Sequence, residues 1–257
     1  MPLARLMPYC LLLLTQAANA ADWSTTELHL QYATFDRAYS NHQTQSTILT
    51  FQHASGWQYG DNFFFIDHAS HRAKSKLDSD DSTFYGEFYS HLSLKKTTGI
   101  DVSFGPLKDI GLVAGFNFAP EVDTLYYLPG VRINLDLPYF AFAKFDITAY
   151  IHNSDQQPKQ ETGYMMDFAW SLPFEIGSAK FSLTGHAEYI SDANINGGGY
   201  RQPWLLAQPQ LRYDLGNNLW NKADQLYVGV EYQMWINKLG DDFTDENTIQ
   251  ALVVWRL

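Results

Sequence analysis

The feature that most constrains this chain is a strict two-residue alternation of apolar and polar side chains that recurs from segment to segment. Phe145, Ile147, Ala149 and Ile151 alternate with Lys144, Asp146, Thr148, Tyr150 and His152. Val131, Ile133, Leu135 and Leu137 alternate in the same way with Arg132, Asn134 and Asp136. Phe181, Leu183, Gly185, Ala187 and Tyr189 alternate with Lys180, Ser182, Thr184, His186 and Glu188. Successive side chains of a strand point to opposite faces, so each segment reads as a strand with one apolar and one polar surface.

The same reading along the chain predicts strands over 24–35, 45–54, 63–71, 82–94, 107–118, 124–137, 142–152, 162–172, 179–190, 203–214, 225–235 and 246–257. That set is twelve, and an even count brings both termini of a closed antiparallel barrel to one side of a membrane. The connections alternate in character. Asp36 to Thr44, Arg72 to Asp81, Asn153 to Glu161, Ser191 to Gln202 and Ile236 to Asp245 are polar, charged or glycine-rich, as extracellular loops would be. Between them fall tighter links carrying Gly105-Pro106, Leu137-Pro138, Leu172-Pro173 with Gly177, and Gly216-Asn217, the signals of periplasmic turns, although Lys95 to Pro106 is long for one. The expected fold is therefore all-β, a 12-stranded antiparallel transmembrane β-barrel of the outer-membrane type. A soluble β-sandwich or lipocalin-like barrel is the competing architecture.

Hydrophobic residues make up 46% of the chain, yet its mean hydropathy is slightly negative, which suits strands with one face in lipid and the other in water. No stretch after residue 20 has eighteen consecutive apolar residues, so a helical membrane protein is excluded. Aromatic residues reach 16% and gather near predicted strand ends, as at Tyr126-Tyr127, Tyr139-Phe140, Trp170, Trp204, Trp220, Trp235 and Trp255, where they would form interfacial girdles.

Residues 1–20 read as a cleaved signal peptide: Arg5 precedes the apolar run Cys10 to Leu14, and Ala18-Asn19-Ala20 offers a cleavage site before Ala21. Residues 21–257 are then a single barrel domain. Cys10 is the only cysteine and lies inside the leader, leaving no thiol for disulfide, metal or nucleophilic chemistry. The formal charge of −11 gives no electrostatic basis for gripping nucleic acid. No cofactor or metal is implied.

A twelve-stranded barrel has a narrow lumen, so its lining decides function. Tyr85, Glu87, Tyr89 and His91 share a face opposite Phe84, Phe88, Leu92 and Leu94, which places them inside. On the preceding strand Phe63, Phe65 and Asp67 oppose Phe64, Ile66 and His68. An ionised carboxylate in hydrocarbon is costly, so Phe63, Phe65 and Asp67 are turned inward. The other inward polar candidates are Glu27, His29, Gln31, Arg132, Asp136, Lys144, Asp146, Asp167, His186, Glu188, Gln208, Gln210, Arg212, Glu231 and Arg256. Charge pairs that line a wet lumen account for most of them. Of these, Arg132, Asp146, His186, Glu188 and Arg212 join the aromatics and carboxylates as candidate substrate contacts, because aromatic faces stack on a flat solute while charged groups bond its edges.

The string Gly56-Trp57-Gln58-Tyr59-Gly60-Asp61-Asn62-Phe63-Phe64-Phe65-Ile66-Asp67 resembles the Tsx and OmpK family of nucleoside-specific outer-membrane channels. The resemblance continues through Phe84-Tyr85-Gly86-Glu87, Ser103-Phe104-Gly105-Pro106-Leu107-Lys108-Asp109, Leu128-Pro129-Gly130-Val131 and Phe181-Ser182-Leu183-Thr184-Gly185-His186. It implies a monomeric twelve-stranded barrel in outer-membrane lipid that binds nucleosides weakly and passes them by diffusion, with outer loops that phages or colicins exploit. Trp57, Tyr59 and the glycines suit a turn and the interfacial belt, while Asp61 joins the phenylalanines at a channel mouth. The final residue, Leu257, departs from the terminal aromatic common in such barrels.

Two other classes compete. A structural or adhesion barrel, or a channel for another small polar solute, would share the architecture. An outer-membrane phospholipase needs a Ser-His pair facing lipid, whereas His29, His91, His152 and His186 fall on the polar face and no Gly-x-Ser-x-Gly string occurs, so the chain is not read as an enzyme.

Overall fold

The computed structural model describes residues 21–40, 42–72 and 81–257; the leader assigned to 1–20 lies outside them. The first nine strands form one meander: β1 (Trp23–Asp36), β2 (Gln43–Trp57), β3 (Gly60–His71), β4 (Asp81–Ser93), β5 (Leu107–Ala119), β6 (Thr124–Leu135), β7 (Phe142–His152), β8 (Gly163–Ile176) and β9 (Ala179–Ile190). A short hairpin of β10 (Ala193–Ile195) and β11 (Gly199–Arg201) stands apart as its own two-stranded sheet. The main sheet resumes with β12 (Trp204–Ala207), β13 (Gln210–Asp214), β14 (Leu226–Ile236) and β15 (Glu246–Arg256). β15 closes on β1 through Glu27↔Arg256 to Tyr32↔Ala251, so no edge of the main sheet is left open.

β12 and β13 are one barrel strand, so the closed sheet has twelve. Both segments pair with β9 and β14, and the residue pairing resumes in step on either side of Gln208 and Pro209. The expected strand over 203–214 is thus interrupted because Pro209 has no N–H for the ladder, while its carbonyl still accepts from Tyr232 N at 2.9 Å.

Proline also corrects the end of β8. Pro173 was expected to start a turn, yet β8 continues through it to Ile176, and the turn is only Gly177 and Ser178, with φ of 63° at Gly177. The carbonyl of Ser171 accepts from Ala141 N, so the backbone of Pro173, two residues on, faces the same side, beyond the last β7 pairing at Phe142. No partner stands there to miss the N–H. β6 ends at Leu135, two residues early, which leaves Asp136 in an exposed turn and removes it from the lumen set.

Three of the five turns at the end that holds the termini are compact, and the other two each contain a single helical turn. The long link after β4 holds α1 (Leu94–Thr98), N-capped by Ser93, whose Oγ accepts from Lys96 N and itself donates to Asp109. The link after β13 holds α2 (Leu215–Trp220), whose cap Asp214 accepts from Asn217 N and Asp224 N. The opposite end carries the remaining loops, among them 191–203 with its hairpin.

The two faces of the wall differ as the alternation requires. Leu30, Tyr32, Leu49, Phe51, Leu112, Val131, Ile147, Leu211, Val230, Ile249 and Val253 are exposed around the outer surface. A continuous apolar belt of this kind is unstable in water and belongs in lipid. No described helix is long and apolar enough to cross a membrane; the strands cross it. Trp23, Tyr139, Trp220 and Trp255 at the turn end, and Tyr39, Tyr127, Tyr164 and Tyr232 at the loop end, are exposed aromatics at the two rims. Three of the expected girdle residues turn inward instead. Tyr126 and Trp204 are buried inside the barrel, and Trp235 packs against their cluster, because their strand positions share parity with the lumen face.

Candidate functional site: a stratified lumen

All twelve sequence-predicted contact residues lie on the inward face, but they divide into separate groups along the barrel. Near the turn end, Arg132 donates from Nε and Nη2 to both oxygens of Asp146, at 2.7 and 2.6 Å, and from Nη1 to Asp61 at 2.8 Å. His91 Nδ1 meets the second oxygen of Asp61 at 2.8 Å. Across the lumen, Glu27 accepts from Arg212, from Arg256 and from His29. This layer is a set of closed ion pairs tying β3, β4, β6 and β7 together on one side and β1, β13 and β15 on the other. The charge-assisted, bidentate geometry is the strong form of such bonds.

The middle layer is rich in carboxylates. Asp67 accepts from Thr50 at 2.5 Å, and Glu87 accepts from the hydroxyls of Tyr85 and Tyr89. Glu231 accepts from four glutamine side chains, Gln31, Gln208, Gln210 and Gln250, which fix a buried carboxylate that no cation bonds directly among the described residues. His186 sits among these acids. Its Nδ1 lies 3.0 Å from Asp167 and its Nε2 lies 2.9 Å from the Gln208 carbonyl oxygen. Gln208 is oriented by its own amide donating to Glu231 and Gln233. Both imidazole nitrogens therefore face oxygen atoms of neighbouring side chains. Asp167, His186 and Glu188 bring one ligand-type atom each within 4.8 Å of one another, a spacing a metal could use. The hydrogen bonds already assign His186 to its neighbours.

Beside this layer runs a row of rings. Phe63 and Phe65 are 6.2 Å apart, Phe65 and Tyr85 are 5.9 Å apart, and Lys144 Nζ lies 5.2 Å from the centre of the Phe63 ring. The inward choice for Phe63, Phe65 and Asp67 holds, since their pairings with Tyr89, Glu87 and Tyr85 put them on one face.

Toward the loop end the lumen becomes apolar. Tyr89, Val113, Tyr126, Leu128, Tyr150, Met165, Ile190 and Trp204 form one buried cluster. At its top stands Arg201, which sequence reasoning missed. Its guanidinium lies 4.8 Å from the Trp204 ring, 5.2 Å from Tyr150 and 5.8 Å from Tyr126. Arg201 belongs to the β10–β11 hairpin, outside the alternating strands, so periodicity gave no signal for it. Lys238 and Glu246 form a buried ion pair at the same end, at 2.8 Å.

The family described as "Nucleoside-specific channel-forming protein, Tsx" matches residues 18–255. The fold is similar to that of the NanC porin, at 13% identity over 90% of this chain and 100% of that one, with a TM-score of 0.50. It is also similar to an outer membrane channel from Pseudomonas putida F1, at 8% identity over 93% of this chain and 98% of that one, with a TM-score of 0.52. No curated protein matches the sequence. At these identities the structural likeness speaks for the barrel alone.

Proposed function

We propose, because the chain belongs to the Tsx family of nucleoside-specific channel-forming proteins and is an outer-membrane channel, that its solutes are nucleosides, bound weakly in the lumen and passed by diffusion. The long loops face the cell exterior and the compact turns the periplasm, as in other outer-membrane barrels. The observation that carries the cargo is the row Phe63, Phe65, Tyr85 beside Glu87 and Lys144. A nucleobase is flat and apolar on its faces and polar on its edge, and ribose offers hydroxyls. Rings that accept a face and charged groups that bond an edge match that pattern, whereas a disaccharide makes poorer use of stacked rings.

The ion-paired layer at the turn end supports a narrow conduit rather than a wide pore, since its side chains span from strand to strand. The carboxylates of the middle layer present acceptors to the amino groups of adenine and cytosine and to ribose hydroxyls. Liposome swelling with the purified barrel tests the cargo. Adenosine and thymidine are expected to enter faster than the smaller glucose. Phe65→Ala and Glu87→Gln, assembled as the parent is, are expected to reduce that preference about tenfold, the worth of one base–ring stack. Equal entry of sugars and nucleosides would remove nucleosides as the cargo.

A further inference from the structure

We infer that the β10–β11 hairpin is a plug at the outer mouth, and that Arg201 is its latch, occupying an aromatic cage of Tyr126, Tyr150 and Trp204 that binds planar cations. The inference rests on the channel reading and is independent of which solute passes.

The cage is built from three lumen-facing strands. Tyr126 on β6 and Tyr150 on β7 stack at 4.0 Å with 22° between their planes, and Trp204 on β12 stands edge-on to Tyr150 at 88°. The two tyrosines cover one face of each other, and the pocket beside that stack and next to the Trp204 ring lies within reach of the negative quadrupole density of all three. Arg201 fills that place and is 5% exposed. Its polar contacts are few for a buried guanidinium. Nη2 donates to the Ser191 carbonyl at 3.0 Å, Nη1 donates to the Tyr126 hydroxyl at 3.3 Å, and Nε is buried without a partner. Among the described residues no carboxylate pairs with it. The rings, rather than an ion pair, hold Arg201, which is what a releasable latch needs.

The hairpin is docked on neighbouring loops by short, reversible contacts. Glu161 N donates to Asn194 O and Asn196 N donates to Lys159 O, both at 2.9 Å, while the Asn194 amide donates to Glu161 at 2.7 Å. On the other side, Gln202 N donates to Gly240 O at 3.1 Å. Gly240 has φ of 84°, and a Cβ there would lie 2.3 Å from Arg201 Cγ, so that loop is shaped around the latch. Apart from these contacts the hairpin pairs with no barrel strand, and Gly197 and Gly198 at its tip hold φ near 94° and 93°. Passage of a solute along the lumen requires Arg201 to leave the cage.

Chemical complementation in planar bilayers tests this. Arg201→Ala should raise open-channel occupancy or conductance at least twofold over the parent. Methylguanidinium at millimolar concentration should close the Arg201→Ala channel and leave the parent unaffected. Adding Trp204→Leu to Arg201→Ala should abolish that closure. A Glu161→Cys, Asn194→Cys pair, oxidised, should hold the channel shut until a reductant is added, and this arm stands even if Arg201→Ala fails to assemble. The plug is excluded if Arg201→Ala conducts as the parent does, if methylguanidinium acts equally on both, or if the oxidised pair conducts like the reduced one. Nucleoside block lost in the parent with these results intact would fault the cargo and not the plug.

Discussion

Arg132 carries three of its donors on two carboxylates, with 1% exposure. Removing it leaves Asp146 buried and Asp61 half-buried without their cation. The cost of breaking such a pair from one side is about 3 kcal/mol, larger than the net worth of the pair itself. Arg132→Ala is therefore expected to lower unfolding stability by about that amount, read as urea titration of tryptophan fluorescence in lipid micelles. A loss under about 1 kcal/mol would show that lumen water rehydrates both acids. The residues themselves tell how far sequence reaches. Alternation identified Arg132, Asp146, Glu87 and His186 as inward, and the cost of burying Asp67 in lipid settled the face of Phe63 and Phe65. Alternation says nothing of what lies across a lumen, so Arg132 with Asp61, 71 residues apart, and Gln31 with Glu231, 200 apart, emerge only in three dimensions. Arg201 was illegible for a further reason: its partners are rings on three other strands, and its own segment has no period.

At the scale of elements, proline misled where it was tolerated. Pro173 was read as a turn signal and sits in a strand, facing an unpaired stretch, whereas the strand read straight through Pro209 is interrupted there. The sequence carries the proline but not the neighbour's length, which decides whether a missing N–H matters. The outer loops show a different kind of local device. Asp241 accepts from the Thr244 hydroxyl at 2.5 Å and from Tyr39 N at 2.6 Å and Phe243 N at 3.2 Å, and so clips the first loop to the last. The Thr244 hydrogen bond, aided by the two backbone donors, holds its carboxyl below the usual carboxylate range. A folded-state value below the unfolded one means the clip is fully present above the ordinary carboxylate pKa of about 4 and is lost as pH falls through the lowered value. Carbon-13 NMR of the Asp241 carboxyl should titrate below that ordinary value, and Thr244→Ala should move the midpoint up. A midpoint that Thr244→Ala leaves in place would assign the clip to other groups.

At the scale of the molecule, closure of twelve strands followed from their even count and from the alternation of long loops with short turns. What the alternation could not convey is how full the lumen is. Ion pairs occupy its inner end, carboxylates and one imidazole its middle, and an aromatic cluster with Arg201 its outer end. The same inward parity that marks a residue as water-facing in a wide pore marks it as packed in a narrow one, and Tyr126 and Trp204 were misplaced on the rim for that reason. On the proposed reading the protein is a gated, narrow channel that recognises flat solutes. Single-channel recording of the purified barrel in planar bilayers, with adenosine or thymidine titrated against glucose, tests that claim most directly. Discrete openings that nucleosides block in a saturable way, and that glucose leaves unchanged, are the predicted result. Bilayers that show no openings, or openings blocked by glucose and untouched by nucleosides, would contradict it.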